Sequence, residues 1–147
     1  MLIRPATESD RGTWERMRQA LWPSPEGEHA GEIERYFAGK LLEPIEVLIA
    51  FDDQGVAVGL IELSIRAYAA GCVTDRVAFV EGWYVEPIAR RKGIGAALID
   101  VAENWARSQG CTELGSDTEV DNHSSAAAHR AVGFTETETR RCFRKSL

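Results

Sequence analysis

Cysteine is scarce in this sequence, and long apolar segments are missing. The three cysteines, Cys72, Cys111 and Cys142, are odd in number and widely spaced, which is not the pattern of a disulfide framework or of a metal-binding cluster. No stretch approaches the ~20 apolar residues that a membrane span needs, and the N-terminus has no long apolar region. We therefore expect a cytoplasmic protein with no metal site and no membrane association.

Positive charge is also in short supply. The 147 residues contain 17 Lys and Arg against 23 Asp and Glu, a formal net charge of −6. A nucleic acid held through its phosphates would be repelled by much of such a surface, whereas a cationic ligand would be attracted. We expect no nucleic-acid partner, although a negative balance is also common in proteins that are merely soluble.

Apolar and β-branched patterns predict strands alternating with helices in one domain, residues 1–147. Thr7, with Asp10 three positions on, indicates a helix N-terminus. Four residues, 52–55, separate two β-branched runs and indicate a hairpin. The predicted helices are 7–21, 28–41, 93–109 and 122–132, and the predicted strands are 2–4, 46–51, 56–66, 76–85, 112–118, 134–138 and 141–145. This order favours a mixed α/β sheet with helices packed on it.

A basic, glycine-rich segment lies where a predicted strand gives way to the 93–109 helix. Its sequence is Arg90-Arg91-Lys92-Gly93-Ile94-Gly95-Ala96. The first amides of a helix have no intrahelical partners, the helix dipole favours an anion, and glycine lets the backbone approach a ligand. Three cations add charge-assisted contacts. The segment suits a pyrophosphate, although similar turns also cap helices that bind nothing.

Two motifs resemble those of the GNAT superfamily of N-acetyltransferases. Arg90-x-x-Gly93-x-Gly95 resembles its acetyl-CoA pyrophosphate loop, and Asn122-x-x-Ser125-x-x-x-His129 before Gly133-Phe134 resembles its Asn-x-x-Ala-x-x-x-Tyr-x-x-x-Gly-Phe motif. The resemblance implies a GNAT fold, a single mixed and mostly antiparallel sheet splayed between its central strands, with helices on both faces. It also implies that acetyl-CoA is bound by Trp83, Tyr84, Val85, Arg90, Arg91, Lys92, Gly93, Ile94, Gly95, Ala96, Asn122 and His129.

In the family motif the tyrosine donates to the departing thiolate, and His129 stands at its position. With an ordinary pKa near 6.5, histidine offers a donor in either protonation state. The alternative is a partly buried helix histidine that is satisfied by a backbone partner.

Further segments resemble the aminoglycoside 6'-N-acetyltransferases over almost the whole chain. They include Gln19-Ala20-Leu21-Trp22-Pro23, Phe79-Val80-Glu81-Gly82, Ser116-Asp117-Thr118 and the stretch 133–138. This resemblance implies direct transfer of acetyl to the 6'-amine of an aminoglycoside in a ternary complex. It also implies a homodimer whose C-terminal strands pair between subunits and bring acids such as Glu136 to the neighbour's site.

Two carboxylates stand out on the predicted sheet. Glu81 interrupts an apolar strand, and Asp117 follows the end of the next strand. Burying a carboxylate costs free energy unless the group is paired. A ligand ammonium is one candidate partner, and an internal ion pair with Arg66 or His129 is the alternative. We expect Glu81 to be the general base, with Asp117 orienting the amine.

The rest of the expected site is built from backbone and aromatic groups. GNAT resemblance assigns the thioester carbonyl to a backbone N–H near Val85, which a bulge permitted by Gly82 would expose. Trp22 and Tyr68 would offer flat surfaces to sugar rings, with core packing as the alternative for Trp22. A second interpretation keeps the acetyl-CoA site but takes a polyamine, another small amine or a protein N-terminus as the acceptor. A third is that the protein is a non-catalytic acyl-CoA-binding regulator.

Overall fold

A computed structural model describes all 147 residues and is built on a five-stranded sheet. The strands are β1 (Leu2–Pro5), β2 (Glu46–Phe51), β3 (Ala57–Arg66), β4 (Val77–Val85) and β5 (Leu114–Ser116), and the helices are α1 (Arg11–Leu21), α2 (Glu28–Phe37), α3 (Ile94–Ser108) and α4 (His123–Ala131). The strands lie side by side in chain order, antiparallel up to β4, with β5 parallel to β4.

The predicted hairpin joins β2 to β3. The Asp52 side chain accepts the backbone N–H groups of Gln54 and Val56, both at 2.9 Å, and Gly55 takes the left-handed conformation with φ of 78°. Both features are local turn chemistry, which is why the sequence pattern identified this hairpin correctly.

Helices cover both faces of the sheet. On one face, Trp14 and Met17 of α1 and Ile33 of α2 pack with Leu60 of β3. On the other face, Leu98 and its neighbours on α3 pack with Ile61 and Leu63 of β3 and Val80 of β4. The central strands therefore bury most side chains on both faces, so a polar side chain there must find a partner within the fold or from a ligand.

Strand β4 is paired with β5 along only part of its length. Strand β5 pairs only with residues Ala78 to Val80, so the backbone from residue 81 to 85 is open on that side. The register with β3 also shifts here, because Glu62 faces Gly82 while Leu63 faces Val80. Glu81 is thus the extra residue of a β-bulge, at the point where the sheet splays.

Two predicted strands, 134–138 and 141–145, are wrong for this chain. Residues after Gly133 form no helix or strand, and most of their side chains are exposed, Phe143 to 92%. A strand exists only where a neighbour pairs with its backbone, and the chain offers these residues none. Elsewhere the predicted helix 28–41 ends at Phe37, ahead of the left-handed Gly39.

No helix combines the length and apolarity that crossing a bilayer requires. Likewise, nowhere do three or more His, Cys, Asp or Glu side chains converge as metal ligands would.

The Asp10 carboxylate holds the 3-10 turn Glu8–Asp10, which leads directly into α1. Asp10 accepts both terminal nitrogens of Arg4, at 2.7 and 3.1 Å, and the backbone N–H of Thr7 at 2.7 Å. The Arg4 guanidinium, helped by Thr7 and opposed by partial burial, lowers the pKa of Asp10 from 3.8 to about 2. The capping interaction predicted from Thr7 and Asp10 is therefore present and tied to an ion pair.

Asp10→Asn is expected to lower the free energy of unfolding at pH 7 by about 1–2 kcal/mol. A carboxyl group whose pKa is depressed by folding stabilises the protein above its unfolded pKa, and this contribution disappears as the pH falls towards the folded pKa. The wild type should therefore lose this stability between about pH 4 and pH 2, and the variant should not. Urea denaturation at pH 7, 4 and 3 measures both effects, and an unchanged acid slope in the variant would contradict the assignment.

Candidate active site

The segment 90–96 presents unpaired backbone donors at the start of α3. The first intrahelical bond runs from Ala97 N–H to the Gly93 carbonyl at 3.0 Å, so the amides of Ile94, Gly95 and Ala96 have no acceptor within the chain. Gly93 and Arg91 both take left-handed conformations, with φ of 81° and 61°. Such a helix start, with its free amides and positive dipole end, attracts an anion.

The basic side chains frame this helix start. Arg90, Arg91 and Lys92 are exposed. Arg90 Nε donates to the Val85 carbonyl at 2.9 Å, which ties the segment to the end of β4. The other two cations make no side-chain hydrogen bond or ion pair within the chain and remain available to an anion.

The open edge of β4 carries outward-facing amides. Glu86 N–H bonds to the Val58 carbonyl of β3 at 2.9 Å, and Val85 pairs with Gly59. Because donors alternate between the two sides of an antiparallel strand, the N–H groups of Val85 and Trp83 face away from β3, towards the gap. The Tyr84 side chain lies on the other face and donates to Glu86 at 3.1 Å, so only its backbone belongs to this edge.

Trp83 links the edge to the helix start and to α4. A Cβ on Gly95 would lie 3.2 Å from Trp83 Cζ2, so the indole packs directly on the first turn of α3. The ring also meets His129 edge-on, with centroids 5.3 Å apart. Its Nε1 is buried without an acceptor, which leaves a donor for a ligand.

His129 is held at both ring nitrogens. Nδ1 lies 2.7 Å from the Ser125 carbonyl and Nε2 lies 2.7 Å from Ser116 Oγ. A carbonyl only accepts, so Nδ1 carries a proton, and in the neutral ring Nε2 accepts from the Ser116 hydroxyl. The ring is a donor in either protonation state, but only the imidazolium donates from Nε2. The alternative predicted from the sequence, a histidine satisfied by a backbone partner, therefore holds for Nδ1 only.

Asn122 caps α4. Its Oδ1 accepts the backbone N–H of Ser125 at 3.1 Å and the hydroxyl of Ser124 at 3.2 Å. The carbonyl end of the side chain is thus engaged by the helix, and its amide nitrogen remains free to donate.

Glu81 is ion-paired within the chain. Arg66 donates to it through Nε at 3.0 Å and Nη2 at 2.8 Å, and the Ser64 hydroxyl donates to Oε1. Arg66 is held in turn by stacking on Phe79, 3.7 Å from the ring centroid. A carboxylate has about four acceptor positions, and these donors leave one on Oε2. Of the two internal partners considered for Glu81, Arg66 is observed and His129 is not.

A cavity of about 230 Å³ opens beside Glu81. It is lined by Arg18, Trp22, Glu43, Pro44, Glu62 and Glu81. Trp22, 37% exposed, covers Gly82 so closely that a Cβ there would lie 2.6 Å from Cη2 of the indole. The cavity thus combines three carboxylates, one guanidinium and a flat aromatic wall.

The remaining predicted acceptor residues lie outside this cavity. Asp117 follows β5 and is exposed. Burial lowers the pKa of Arg66, but the carboxylates of Glu81, Glu43 and Asp117 outweigh this and raise it. Asp117 is therefore electrostatically close to the Glu81 pair. The Tyr68 hydroxyl, on an exposed loop, accepts from Arg140.

Glu136 has a different partner from the one expected. It forms an exposed ion pair with Arg130 at 2.6 Å, and it does not line the cavity of its own chain.

Residues 14–134 match the sequence pattern of the Acetyltransferase (GNAT) family. The chain belongs to this family. The chain is 51% identical to an aminoglycoside N(6')-acetyltransferase type 1 of Klebsiella aerogenes, over 99% of this chain and 97% of the relative. The predicted GNAT membership is confirmed.

Solved structures agree with this assignment. The apo crystal structure of the aminoglycoside antibiotic 6'-N-acetyltransferase AAC(6')-IG from Acinetobacter haemolyticus superposes with a TM-score of 0.92 at 40% identity, covering 100% of this chain and 99% of the other. AAC(6')-Iy in complex with the bisubstrate analogue CoA-S-monomethyl-acetylneamine gives a TM-score of 0.90 at 34% identity, covering 99% and 98%. The predicted GNAT fold is confirmed.

Sequence reasoning missed two carboxylates of this GNAT cavity. Glu62 is 0% exposed in the middle of β3, and Glu43 lies in the loop before β2. Glu62 interrupts an apolar run as Glu81 does, so the same signal could have found it. Glu43 sits among mixed residues beside Pro44, where no pattern distinguishes it.

Gly82→Ala is expected to raise KM for the acceptor about fivefold, because the new methyl group must push the Trp22 indole off the cavity wall at a cost near 1 kcal/mol. KM for acetyl-CoA should not change. Gly12→Ala is the matched control, since a Cβ there meets nothing within 4 Å and alanine favours the helix. Steady-state kinetics of both variants measure the effect, and an unchanged acceptor KM in Gly82→Ala would mean that Trp22 does not contact the acceptor.

Proposed function

We propose that the protein is an acetyl-CoA-dependent N-acetyltransferase of a single domain that acetylates the 6'-amino group of aminoglycosides and thereby confers resistance. The proposal is supported by relatives of this name at 40–51% identity over nearly the whole chain. The observation that carries it is the junction at Glu81, where an acidic, aromatic-walled cavity meets the open edge of β4. A polycationic sugar and an acyl thioester would meet at this junction.

The donor side would be held by backbone groups. The free amides from Ile94 to Ala96, with Arg91 and Lys92 beside them, suit the pyrophosphate of acetyl-CoA. The outward N–H of Val85 suits the thioester oxygen as charge develops on it. The Trp83 indole N–H and the Asn122 amide nitrogen are free donors for the pantetheine arm.

The acceptor side would be held by acids and aromatic rings. An aliphatic ammonium must lose a proton before it attacks the thioester, and Glu81 would take that proton through its remaining Oε2 position, directly or through a water. Asp117 would orient the amine, with Trp22 and Tyr68 against the sugar rings. The neutral amine would then attack the thioester carbon, and the nitrogen of the tetrahedral intermediate would lose its second proton to water. The amide would form as the carbon–sulfur bond breaks.

The departing thiolate would be protonated near α4. Ser116 and His129 form a hydrogen-bonded pair beside Trp83, and the imidazolium form of His129 would supply the proton through Nε2 or through the Ser116 hydroxyl. No covalent enzyme intermediate is required.

We further propose a cytoplasmic homodimer. The segment after Gly133 forms no helix or strand and is mostly exposed, with Phe143 in water, and a second copy would supply a strand partner for it. Pairing there would bring Glu136 towards the neighbour's acceptor site. Three unpaired cysteines suit a reducing compartment. Size-exclusion chromatography with light scattering tests the dimer, and a monomer at micromolar concentration would refute it.

An acceptor panel tests the activity. Purified protein with acetyl-CoA and kanamycin should release free thiol continuously, and mass spectrometry should place one acetyl group on the 6'-nitrogen. Turnover with spermidine but with no aminoglycoside would replace this proposal by a polyamine acetyltransferase. Tight acetyl-CoA binding without turnover on any amine would instead favour a non-catalytic acyl-CoA-binding regulator.

A further inference from the structure

Glu62 is a core carboxylate with one oxygen that has no partner. Its Oε1 accepts the Trp14 indole N–H at 2.6 Å and lies 2.9 Å from Arg18 Nε, in an ion pair that is not aligned as a hydrogen bond. Its Oε2 is buried and receives no donor from the protein. A buried acceptor left in this state is costly, so a donor from outside the chain is the natural partner.

The cavity beside Glu81 borders this buried carboxylate. Glu62 lines it, and the residue facing Glu62 across the ladder is Gly82, which has no side chain to cover the carboxylate. The volume of about 230 Å³ is below the ~300–1,000 Å³ of sites that enclose a drug-sized ligand. It therefore suits one ring of an acceptor.

The charges around Glu62 favour a cation. Arg18 is the only cationic side chain in the lining, and it is shared, because it also pairs with Glu32 on α2. Burial raises the pKa of Glu62, and Arg18 and Trp14 oppose this increase. A ligand ammonium at Oε2 would act in the same direction as Arg18 and would stabilise the ionised carboxylate.

We infer that Glu62 binds a second amino group of the acceptor, on the same ring as the amine that faces Glu81. The inference rests on the proposed function. Glu62 is paired with Gly82, the residue after Glu81, and paired residues lie about 4.5–5.5 Å apart across a ladder. That separation is between backbones, but both side chains line the same cavity, so two groups of one sugar can approach the two carboxylates. The site then selects acceptors that carry two amines on that ring.

Kanamycin A and kanamycin B provide a matched pair of acceptors, because they differ only in a hydroxyl or an amine at the 2' position of the ring that bears the 6'-amine. The wild type should prefer kanamycin B. Glu62→Gln should lower kcat/KM for kanamycin B at least about tenfold and for kanamycin A less than about threefold, because a carboxamide still bonds a hydroxyl but offers no charge to an ammonium. KM for acetyl-CoA should stay unchanged.

Glu32→Gln is the control for a structural role. It removes the other carboxylate on Arg18 without touching the cavity, so it should affect both kanamycins equally. An equal loss on both acceptors in Glu62→Gln, or no loss, overturns the inference. Absence of wild-type turnover on both would refute the proposed function instead, and calorimetric binding of the same pair to the same variants then decides the role of Glu62.

A crystal structure of the wild type with kanamycin B covers the case in which Glu62→Gln does not fold. A ligand nitrogen within about 3.2 Å of Glu62 Oε2 is the expected result. Water or empty space at that oxygen, with the sugar bound elsewhere, overturns the inference.

Discussion

Glu81→Gln is expected to lower kcat for an aminoglycoside acceptor by ~100- to 1,000-fold. The amide oxygen can still accept from Arg66 and Ser64, so the β-bulge and its surroundings should persist. The amide cannot take a proton from the attacking ammonium, so the loss should fall on kcat. KM for acetyl-CoA should be unchanged, because the proposed donor contacts lie on α3 and the open edge of β4. Steady-state kinetics at saturating acetyl-CoA measure the effect.

Asp10→Asn is the matched control for this substitution. Asp10 accepts two hydrogen bonds from Arg4, at 2.7 and 3.1 Å, and Glu81 accepts two from Arg66, at 3.0 and 2.8 Å. Both changes weaken a bidentate arginine pair, but Asp10 lies at the start of α1, away from the cavity. Full kcat in Glu81→Gln, with a loss of stability like that of the control, would leave Glu81 as a structural ion-pair residue.

Ala96→Pro is expected to raise KM for acetyl-CoA by ~10- to 100-fold. Proline removes the Ala96 N–H, one of the amides at the start of α3 without an acceptor in the chain, and a hydrogen bond to a charged phosphate contributes about 1.5–3 kcal/mol. Proline is tolerated in the first turn of a helix, where no intrahelical bond is lost. Acceptor KM should not change. Calorimetric titration with CoA provides a second measurement.

Ala97→Pro shows what a structural defect at the same place does. The Ala97 N–H bonds to the Gly93 carbonyl at 3.0 Å, so proline there breaks the first bond of α3 and should lower stability by about 3 kcal/mol. Ala96→Pro should keep a melting temperature close to that of the wild type. Equal destabilisation by both, or unchanged acetyl-CoA binding in Ala96→Pro, would refute the pyrophosphate site.

The proposed acceptor site shows where sequence reasoning reached its limit. A carboxylate in an apolar strand correctly marked Glu81 as a residue that needs a partner. The sequence pattern did not indicate which residue of the neighbouring strand would be that partner. Arg66 is fifteen residues earlier, and only the pairing of β3 with β4 brings it to Glu81. The same pairing opposes Glu62 to Gly82, which has no side chain, and leaves the Glu62 carboxylate at the border of the cavity.

The C-terminal residues show a second limit. The sequence pattern predicted two strands here, yet residues after Gly133 form no strand pairing in their own chain. A pattern reports which residues would tolerate a strand, whereas a strand also needs a partner at hydrogen-bonding distance.

Sequence alone was sufficient for the hairpin at 52–55, the cap at Thr7 and Asp10, and the free amides before Ala97, because each depends on residues within a few positions of one another. It was also sufficient for the GNAT family, through two local motifs. Tertiary structure decided which residue forms the bulge, which arginine pairs with Glu81, how His129 is protonated at Nδ1 and that Glu62 faces a cavity. These properties depend on contacts between segments far apart in the chain, and no local pattern encodes them.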